Sequence, residues 1–152
     1  MSSDRATELC YLSATELLAR YRRRDLSPVA VTEAILARIG RLNPRLNAFL
    51  TVTAERAIED ARAAERAYAP GGTPGPLAGV PLSIKDVIWM RGVPATNGAV
   101  AFRVFHPAED AVVVRHLRAA GAIPVGKTNN AELCMHSRPT TPSTVSRGIR
   151  GT

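Results

Sequence analysis

The residues Val80-Pro81-Leu82-Ser83-Ile84-Lys85-Asp86 lie between two loops that are rich in glycine and proline. The alternating residues end at a charged pair, which is typical of a strand with one buried face. Lys85 then has two interpretations. In a partly buried cleft its amine loses its proton more easily and can act as a general base. On the surface it pairs with a carboxylate, and the spacing alone favours this second interpretation.

Helical patterns and short apolar segments alternate on both sides of this strand. Helix caps and first-turn residues mark the beginnings, whereas proline and glycine mark the ends. The predicted helices run from Ser13, from Ser27-Pro28 to Asn43-Pro44, from Thr53 to Tyr68, from Asp110 to Gly121, and from Thr128 or Asn129 to Met135; the other predicted strands are residues 47–52 and 122–125. This alternation predicts an α/β layered fold.

The composition predicts one globular domain. The chain has 152 residues, of which 45% are hydrophobic and 22% are charged. A core of useful size fits this length, and no apolar run approaches the ~20 residues of a membrane span. The first residues lack the apolar core of a secretory signal. Two cysteines are too few for a disulfide framework. We therefore expect a soluble cytoplasmic protein without a membrane partner.

The positive charge does not predict a nucleic-acid module. The net charge is +7, and all but two of the 20 basic residues are arginines. Most of them alternate with acids along helical segments, as on a solvated helix face, and 5% aromatic residues offer no platform for stacking bases. Residues 137–152 contain three arginines and no acid. They are predicted to form a disordered basic tail.

Two patterns that could indicate a cofactor or a metal fail in their context. Residues 121–128 spell the phosphate-loop pattern with Lys127 as its lysine. That motif needs a strand before its first glycine and a flexible loop after it, whereas here the strand-like residues lie inside the motif. The three histidines lack any metal-ligand spacing. The sequence therefore predicts no cofactor and no metal.

Several motifs, taken in order, resemble the amidase signature family from about residue 12 to about residue 136. They are Leu26-Ser27-Pro28-Val29, Asn43-Pro44, Asn47-Ala48-Phe49, residues 76–86, Gly92-Val93-Pro94-Ala95-Thr96, residues 110–114, residues 117–122, Gly126-Lys127-Thr128-Asn129 and Glu132-Leu133. The resemblance implies the amino-terminal helices and first strands of a mixed-sheet α/β/α sandwich, which would be incomplete here. Residues 1–136 would then be the amino-terminal part of a single amidase domain.

The resemblance also implies a reaction and a role for Lys85. Amidase signature enzymes cleave carboxamides through a Ser–cis-Ser–Lys triad, and by position Lys85 is the triad lysine. It would take a proton from the bridging serine, which in turn deprotonates the attacking serine. The substrate class would be small-molecule amides. Lys127 would be structural, in a helix-capping turn.

The serines of the triad are missing from the resemblance. The family carries them in a Gly/Ser-rich signature, and Ser137, Ser143 and Ser146 have no such context. We therefore expect this chain by itself to be inactive. A frameshift near Ser137, with residues 137–152 translated out of frame, is our hypothesis for the change of composition. Two further interpretations stay open: an A-subunit-like fragment of a glutamyl-tRNA(Gln) amidotransferase, and a non-functional pseudogene product. The sequence does not fix the oligomeric state.

Overall fold

A computed structural model describes residues 3–135 as helices packed around a small sheet. The α-helices are α1 (Ser3–Leu9), α2 (Ala14–Arg23), α3 (Pro28–Leu46), α4 (Ala54–Ala67) and α5 (Val112–Ala119), the strands are β1 (Phe49–Val52), β2 (Pro81–Lys85) and β3 (Ile123–Thr128), and 3₁₀ turns lie at Val100–Phe102 and Glu132–Cys134. The predicted α/β class is confirmed. The predicted tail at residues 137–152 lies outside the described residues.

The sheet has the order β1-β3-β2 and is mixed, as the resemblance implied. Strand β3 lies in the middle, antiparallel to β1 and parallel to β2. Along β3 every residue except the last is buried. Strand β2 has β3 on one side, so within residues 3–135 its other edge is unpaired. The end of the edge strand β2 is where Lys85 lies.

The predicted starts of α2 and α3 are confirmed in detail. The Ser13 hydroxyl accepts a hydrogen bond from the Glu16 amide at 3.2 Å, while the Glu16 carboxylate accepts one from the Ser13 amide at 2.9 Å. This is a complete capping box. The Ser27 hydroxyl accepts from the amides of Val29 and Ala30. Both helix starts follow from local sequence because every amide that these two hydroxyls cap lies within three residues, although the Ser27 hydroxyl also donates to Glu65 of α4.

The predicted end of α3 at Asn43-Pro44 is wrong. The helix continues through Pro44 to Leu46 and ends where Asn47 adopts a left-handed conformation, with φ of 50°. The Asn43 side chain donates to the Phe49 carbonyl and accepts from the Phe49 amide, and its carbonyl accepts from Asn47. These bonds fix the turn into β1. The missing amide of Pro44 costs one bond in the last turn but does not end the helix.

Two predicted side-chain caps do not form, because the side chains bond to distant residues. Thr53 occupies the predicted N-cap position of α4, but its hydroxyl donates to the Pro124 carbonyl at 3.1 Å instead of bonding the first turn. The Asp110 carboxylate accepts from the Arg91 amide at 2.6 Å and pairs with Arg118 at 3.4 Å. Helix α5 begins at Val112 without a side-chain cap. Sequence spacing does not reveal contacts of this kind.

The helix predicted from Thr128 or Asn129 to Met135 does not form. Strand β3 continues through Thr128, and only the 3₁₀ turn Glu132–Cys134 follows it within the described residues. The backbone pairing explains the difference, since Thr128 pairs with Phe49 of β1 and with Lys85 of β2. Ladder bonds to two neighbouring strands stabilise the extended form over a helical turn.

The core lies on both faces of the sheet and between the helices. Ala57 and Ala61 of α4 pack against Ile123 and Val125 of β3, so the small alanine face lets this helix approach the central strand closely. A second cluster surrounds Ile84, with Met90, Val93 and Val114, and a third joins α1, α2 and α3. Within residues 3–135, no helix combines the length and the apolar character needed to cross a bilayer.

Candidate active site

Lys85 is the last residue of β2, where the sequence places it, and its side chain is exposed. The neighbouring Ile84 is 3% exposed and packs into the core under the strand. No described residue forms a hydrogen bond or an ion pair with the Lys85 amine. The strand end is therefore confirmed, whereas the partly buried cleft expected around Lys85 is not formed by residues 3–135.

The carboxylate beside Lys85 does not pair with it. Asp86 is fully buried and accepts three hydrogen bonds, from the Thr96 amide at 3.2 Å, the Thr96 hydroxyl at 2.8 Å and the Gly98 amide at 3.3 Å. Adjacent residues of an extended chain lie on opposite faces, so Asp86 faces inward as Lys85 faces outward. The interpretation that Lys85 forms a surface ion pair is therefore wrong for Asp86, the carboxylate next to it in the sequence.

Lys127 is the ionic partner of Asp86. Its ammonium donates to the Asp86 carbonyl at 2.8 Å and to the Pro94 carbonyl at 3.3 Å, and it lies 3.9 Å from a carboxylate oxygen of Asp86. The side chain is completely buried. Burial lowers the pKa of the Lys127 ammonium, and the negative charge of Asp86 opposes that change. Polar atoms of the protein therefore surround the amine that the phosphate-loop pattern would assign to a nucleotide.

The helix-capping turn expected for Lys127 is wrong, because Gly126, Lys127 and Thr128 belong to β3. A structural role is consistent with its burial. Sequence reasoning missed the Asp86–Lys127 pair altogether. One signal was present: Gly126 is a single glycine between the apolar residues 122–125 and Lys127, and reading it as a bulge would have extended the strand and put Lys127 inside the sheet.

The loop after Lys85 also contacts the segment after Lys127. The Leu133 amide donates to the Asn97 carbonyl at 2.7 Å. At Gly98 the backbone has φ of +70°, and an added Cβ would lie 2.8 Å from the Asn130 carbonyl oxygen. A side chain is thus excluded there both by conformation and by space. The two segments hold each other close to the end of β2.

Among the described residues, no serine hydroxyl bonds to the Lys85 amine. Of the serine side chains that the structure describes, Ser13 and Ser27 bond helix starts, and Ser83 precedes Lys85 on the exposed face of the same strand. Ser137, Ser143 and Ser146 lie outside the described residues. Over residues 3–135, no three His, Cys, Asp or Glu side chains come together as metal ligands would. The exposed Lys85 amine at the end of β2 is a group that the described residues can contribute to a reaction.

Comparisons with known proteins place this geometry in a family. A family model described as Amidase matches residues 30–146, a range that contains Lys85, Asp86 and Lys127. The chain belongs to the amidase family. The A subunit of the glutamyl-tRNA(Gln) amidotransferase of Salinispora arenicola is 44% identical over 131 residues, which are 86% of this chain and 27% of that protein.

Solved amidase structures share the fold. The peptide amidase of Stenotrophomonas maltophilia superposes with a TM-score of 0.74 and 36% identity, over 80% of this chain and 25% of that one. A bacterial aryl acylamidase of the amidase signature family gives a TM-score of 0.77 and 28% identity, over 83% and 26%. The chain thus spans 27% of the length of the Salinispora arenicola subunit and 24–28% of the length of its structural neighbours, and the described residues are part of an amidase signature fold.

Proposed function

We propose that Lys85 is the proton acceptor of an amide-cleaving Ser–cis-Ser–Lys site. The observation that carries the proposal is the place of Lys85 as the exposed last residue of β2, where its backbone still pairs with Thr128 of β3. The backbone of Lys85 is held by strand pairing, whereas no described residue bonds to its amine. The amidase family supplies the chemistry that such an amine performs.

In the proposed reaction the neutral Lys85 amine takes the proton of a bridging serine, whose oxygen takes the proton of the attacking serine. The oxygen of the attacking serine bonds to the amide carbon, and as the C–N bond breaks the bridging serine gives one proton to the departing amine or ammonia and recovers one from the Lys85 ammonium. Water then cleaves the acyl-enzyme by the reverse relay. Both serines would belong to a part of the amidase domain that the resemblance does not cover in this chain.

We further propose that these 152 residues have no amidase activity by themselves. Without a nucleophile and the amides that stabilise the oxyanion, acyl transfer loses most of its transition-state stabilisation, by many powers of ten. The purified chain should release no ammonia from a simple carboxamide. Turnover that Lys85→Ala abolishes would refute this proposal.

A chimera tests the role of Lys85 directly. The matched quarter of the Stenotrophomonas maltophilia peptide amidase is replaced by this chain, and hydrolysis of a peptide amide is measured. In an active chimera, Lys85→Ala should lower kcat about a thousandfold, because the nucleophile loses its proton acceptor. Arg62→Ala, which removes an exposed positive charge from α4, is the matched control and should leave kcat unchanged. Activity that survives Lys85→Ala would contradict the proposal.

A second candidate is the A subunit of a glutamyl-tRNA(Gln) amidotransferase, which would take ammonia from glutamine and depend on partner subunits. The 44% identity to subunits of that name favours it. Genes for companion subunits next to this one would support it. A chimera built on one of those subunits should then release ammonia from glutamine. Either candidate would act in the cytoplasm, whereas inactive chimeras on both scaffolds would support the third interpretation, a product without catalytic function.

A further inference from the structure

The buried pair of Asp86 and Lys127 places two charged side chains in the interior of the described chain, where charge is energetically unfavourable. Lys127 is one of only two lysines, and its ammonium lies completely inside the protein. Removing two charges from water costs more than most buried pairs regain, and apolar residues of similar volume often stabilise a fold at least as well. The pair therefore calls for an explanation other than stability, and its place in the fold supplies one.

The peptide group that joins Lys85 to Asp86 is held at both of its ends. Its N–H donates to the Thr128 carbonyl at 2.9 Å, and its carbonyl accepts from the Ile88 amide at 2.9 Å. The next carbonyl, that of Asp86, accepts the Lys127 ammonium at 2.8 Å. Two successive peptide groups after Lys85 are thus fixed, the second of them by Lys127.

The side chain of Asp86 fixes the same point from a third direction. Its carboxylate binds the amides of Thr96 and Gly98 and the Thr96 hydroxyl, while the Lys127 ammonium also binds the Pro94 carbonyl. Asp86 thereby connects β2 to the loop at residues 94–98, and Lys127 connects both to the central strand. With Asp86 held inward at its backbone and its carboxylate, the preceding Lys85 has only the outward face open to it.

We propose that Lys127 and Asp86 are positioning residues that fix the direction in which the Lys85 side chain projects from the end of β2. The proposal rests on the function proposed for Lys85, since direction matters only if that amine reacts. In this role Lys127 would affect the reaction only through its effect on the position of Lys85. Such a role differs from a purely structural one in being local to the end of β2.

Hydrogen exchange of single amides, measured by mass spectrometry on the full chain at micromolar concentration, separates the two roles. The Asp86 and Ile88 amides report the peptide group after Lys85, whereas those of Gly79 and Asn47, bonded to Gly121 and Asn43, report the rest of the fold. In Lys127→Met, exchange at Asp86 and Ile88 should accelerate at least tenfold more than at Gly79 and Asn47, because local opening is governed by local bonds.

Val125→Ala is the matched control, since Val125 is buried in the same strand but contacts the α4 face of the core. It should accelerate all four amides together. The same uniform pattern in Lys127→Met, or no acceleration at all, would overturn the proposal. Should Lys127→Met fail to fold, Thr96→Val decides, because it removes only the hydroxyl bonded to Asp86. It should accelerate Asp86 and Ile88 selectively, and a uniform effect would again overturn the proposal.

This experiment does not depend on catalysis. A selective effect in the chain together with an active Lys85→Ala chimera would refute the proposed function but leave Asp86 and Lys127 as the residues that direct Lys85. A uniform effect with an inactive Lys85→Ala chimera would refute the positioning role alone.

Discussion

At the scale of single residues, the two lysines differ in what controls the reactivity of an amine. Lys85 is exposed and has no partner among residues 3–135, whereas the Lys127 ammonium donates to two carbonyls inside the fold. An amine must reach the reagent and have a free lone pair to react. Lys85 meets the first requirement in the folded chain, and Lys127 does not.

Acetylation with a small excess of reagent should therefore label Lys85 and the amino terminus but not Lys127. We expect Lys127 to react at least tenfold more slowly, because it reacts only after local or global opening. Peptide mass mapping measures both sites, and the same reaction in urea is the control in which both lysines become labelled. Equal rates in the native chain would contradict the buried position of Lys127.

Tyr21 is a second residue whose environment makes a prediction. Its ring is 1% exposed and packs against Tyr68 at 5.7 Å, and no described residue accepts or donates a hydrogen bond at its hydroxyl. An unbonded buried hydroxyl is unfavourable, by about 1 kcal/mol or more. Tyr21→Phe should therefore raise the free energy of unfolding by about 1 kcal/mol at neutral pH, as measured by urea denaturation.

The same variant should change the dependence of stability on pH. Burial raises the pKa of the Tyr21 hydroxyl above its usual value of about 10. The folded state then keeps a proton that the unfolded state releases, so stability is fully present below about pH 10 and is lost as pH rises further. Unfolding between pH 9 and 11.5 should show a steeper decline in the parent chain than in Tyr21→Phe. Parallel curves would contradict it, since Tyr68 is present in both chains.

At the scale of elements, two glycines with different surroundings give a matched pair. Gly40 lies within α3, and an added Cβ would contact nothing within 4 Å. Gly121 ends the segment after α5 with φ of +87°, and an added Cβ would lie 2.8 Å from the Ala78 Cα. Glycine at position 40 makes the helix less stable, because its backbone loses more entropy on folding than that of alanine. Position 121 instead needs a conformation that only glycine adopts without strain.

Gly40→Ala should raise the free energy of unfolding by about 0.5–1 kcal/mol, and Gly121→Ala should lower it by about 1–3 kcal/mol. Urea denaturation of both variants beside the parent chain measures the difference. The opposite signs are the result that matters. Stabilisation by Gly121→Ala would show that the turn between α5 and β3 adopts another conformation.

At the scale of the whole molecule, the described residues leave both a strand edge and apolar surface exposed. The outer edge of β2 has no partner within residues 3–135, and large apolar side chains are exposed nearby in the chain. They include Trp89, Val100, Phe102, Val104 and Phe105. Unpaired edges and contiguous apolar patches favour association.

We therefore expect the isolated chain to self-associate increasingly as its concentration rises and to aggregate when it is heated. Sedimentation velocity and thermal denaturation measure both properties. Val104→Asp, which puts a charge on a side chain that is 74% exposed, should reduce association. A monodisperse monomer with a cooperative thermal transition would contradict this expectation.

The features that the sequence predicted correctly depend on neighbours along the chain. The capping box at Ser13, the start of α3 at Ser27 and the strand that ends at Lys85 each follow from a few adjacent residues. The errors at Thr53 and Asp110 have a common cause, because both side chains bond to residues that lie far along the chain or belong to another element. Lys85 as the triad lysine stays a prediction, since only the resemblance assigns that role.

Periodicity and motifs are local properties, and they are enough to predict the α/β class, the amidase resemblance and the place of Lys85 at a strand end. The inward position of Asp86 and its pairing with Lys127 follow only from the folded chain. Lys127 lies 41 residues from Asp86 and 33 from Pro94 along the chain, and the pairing of β2 with β3 together with the loop at residues 94–98 brings their atoms within hydrogen-bonding distance. Burial and pairing of charge depend on that proximity, which no local pattern contains.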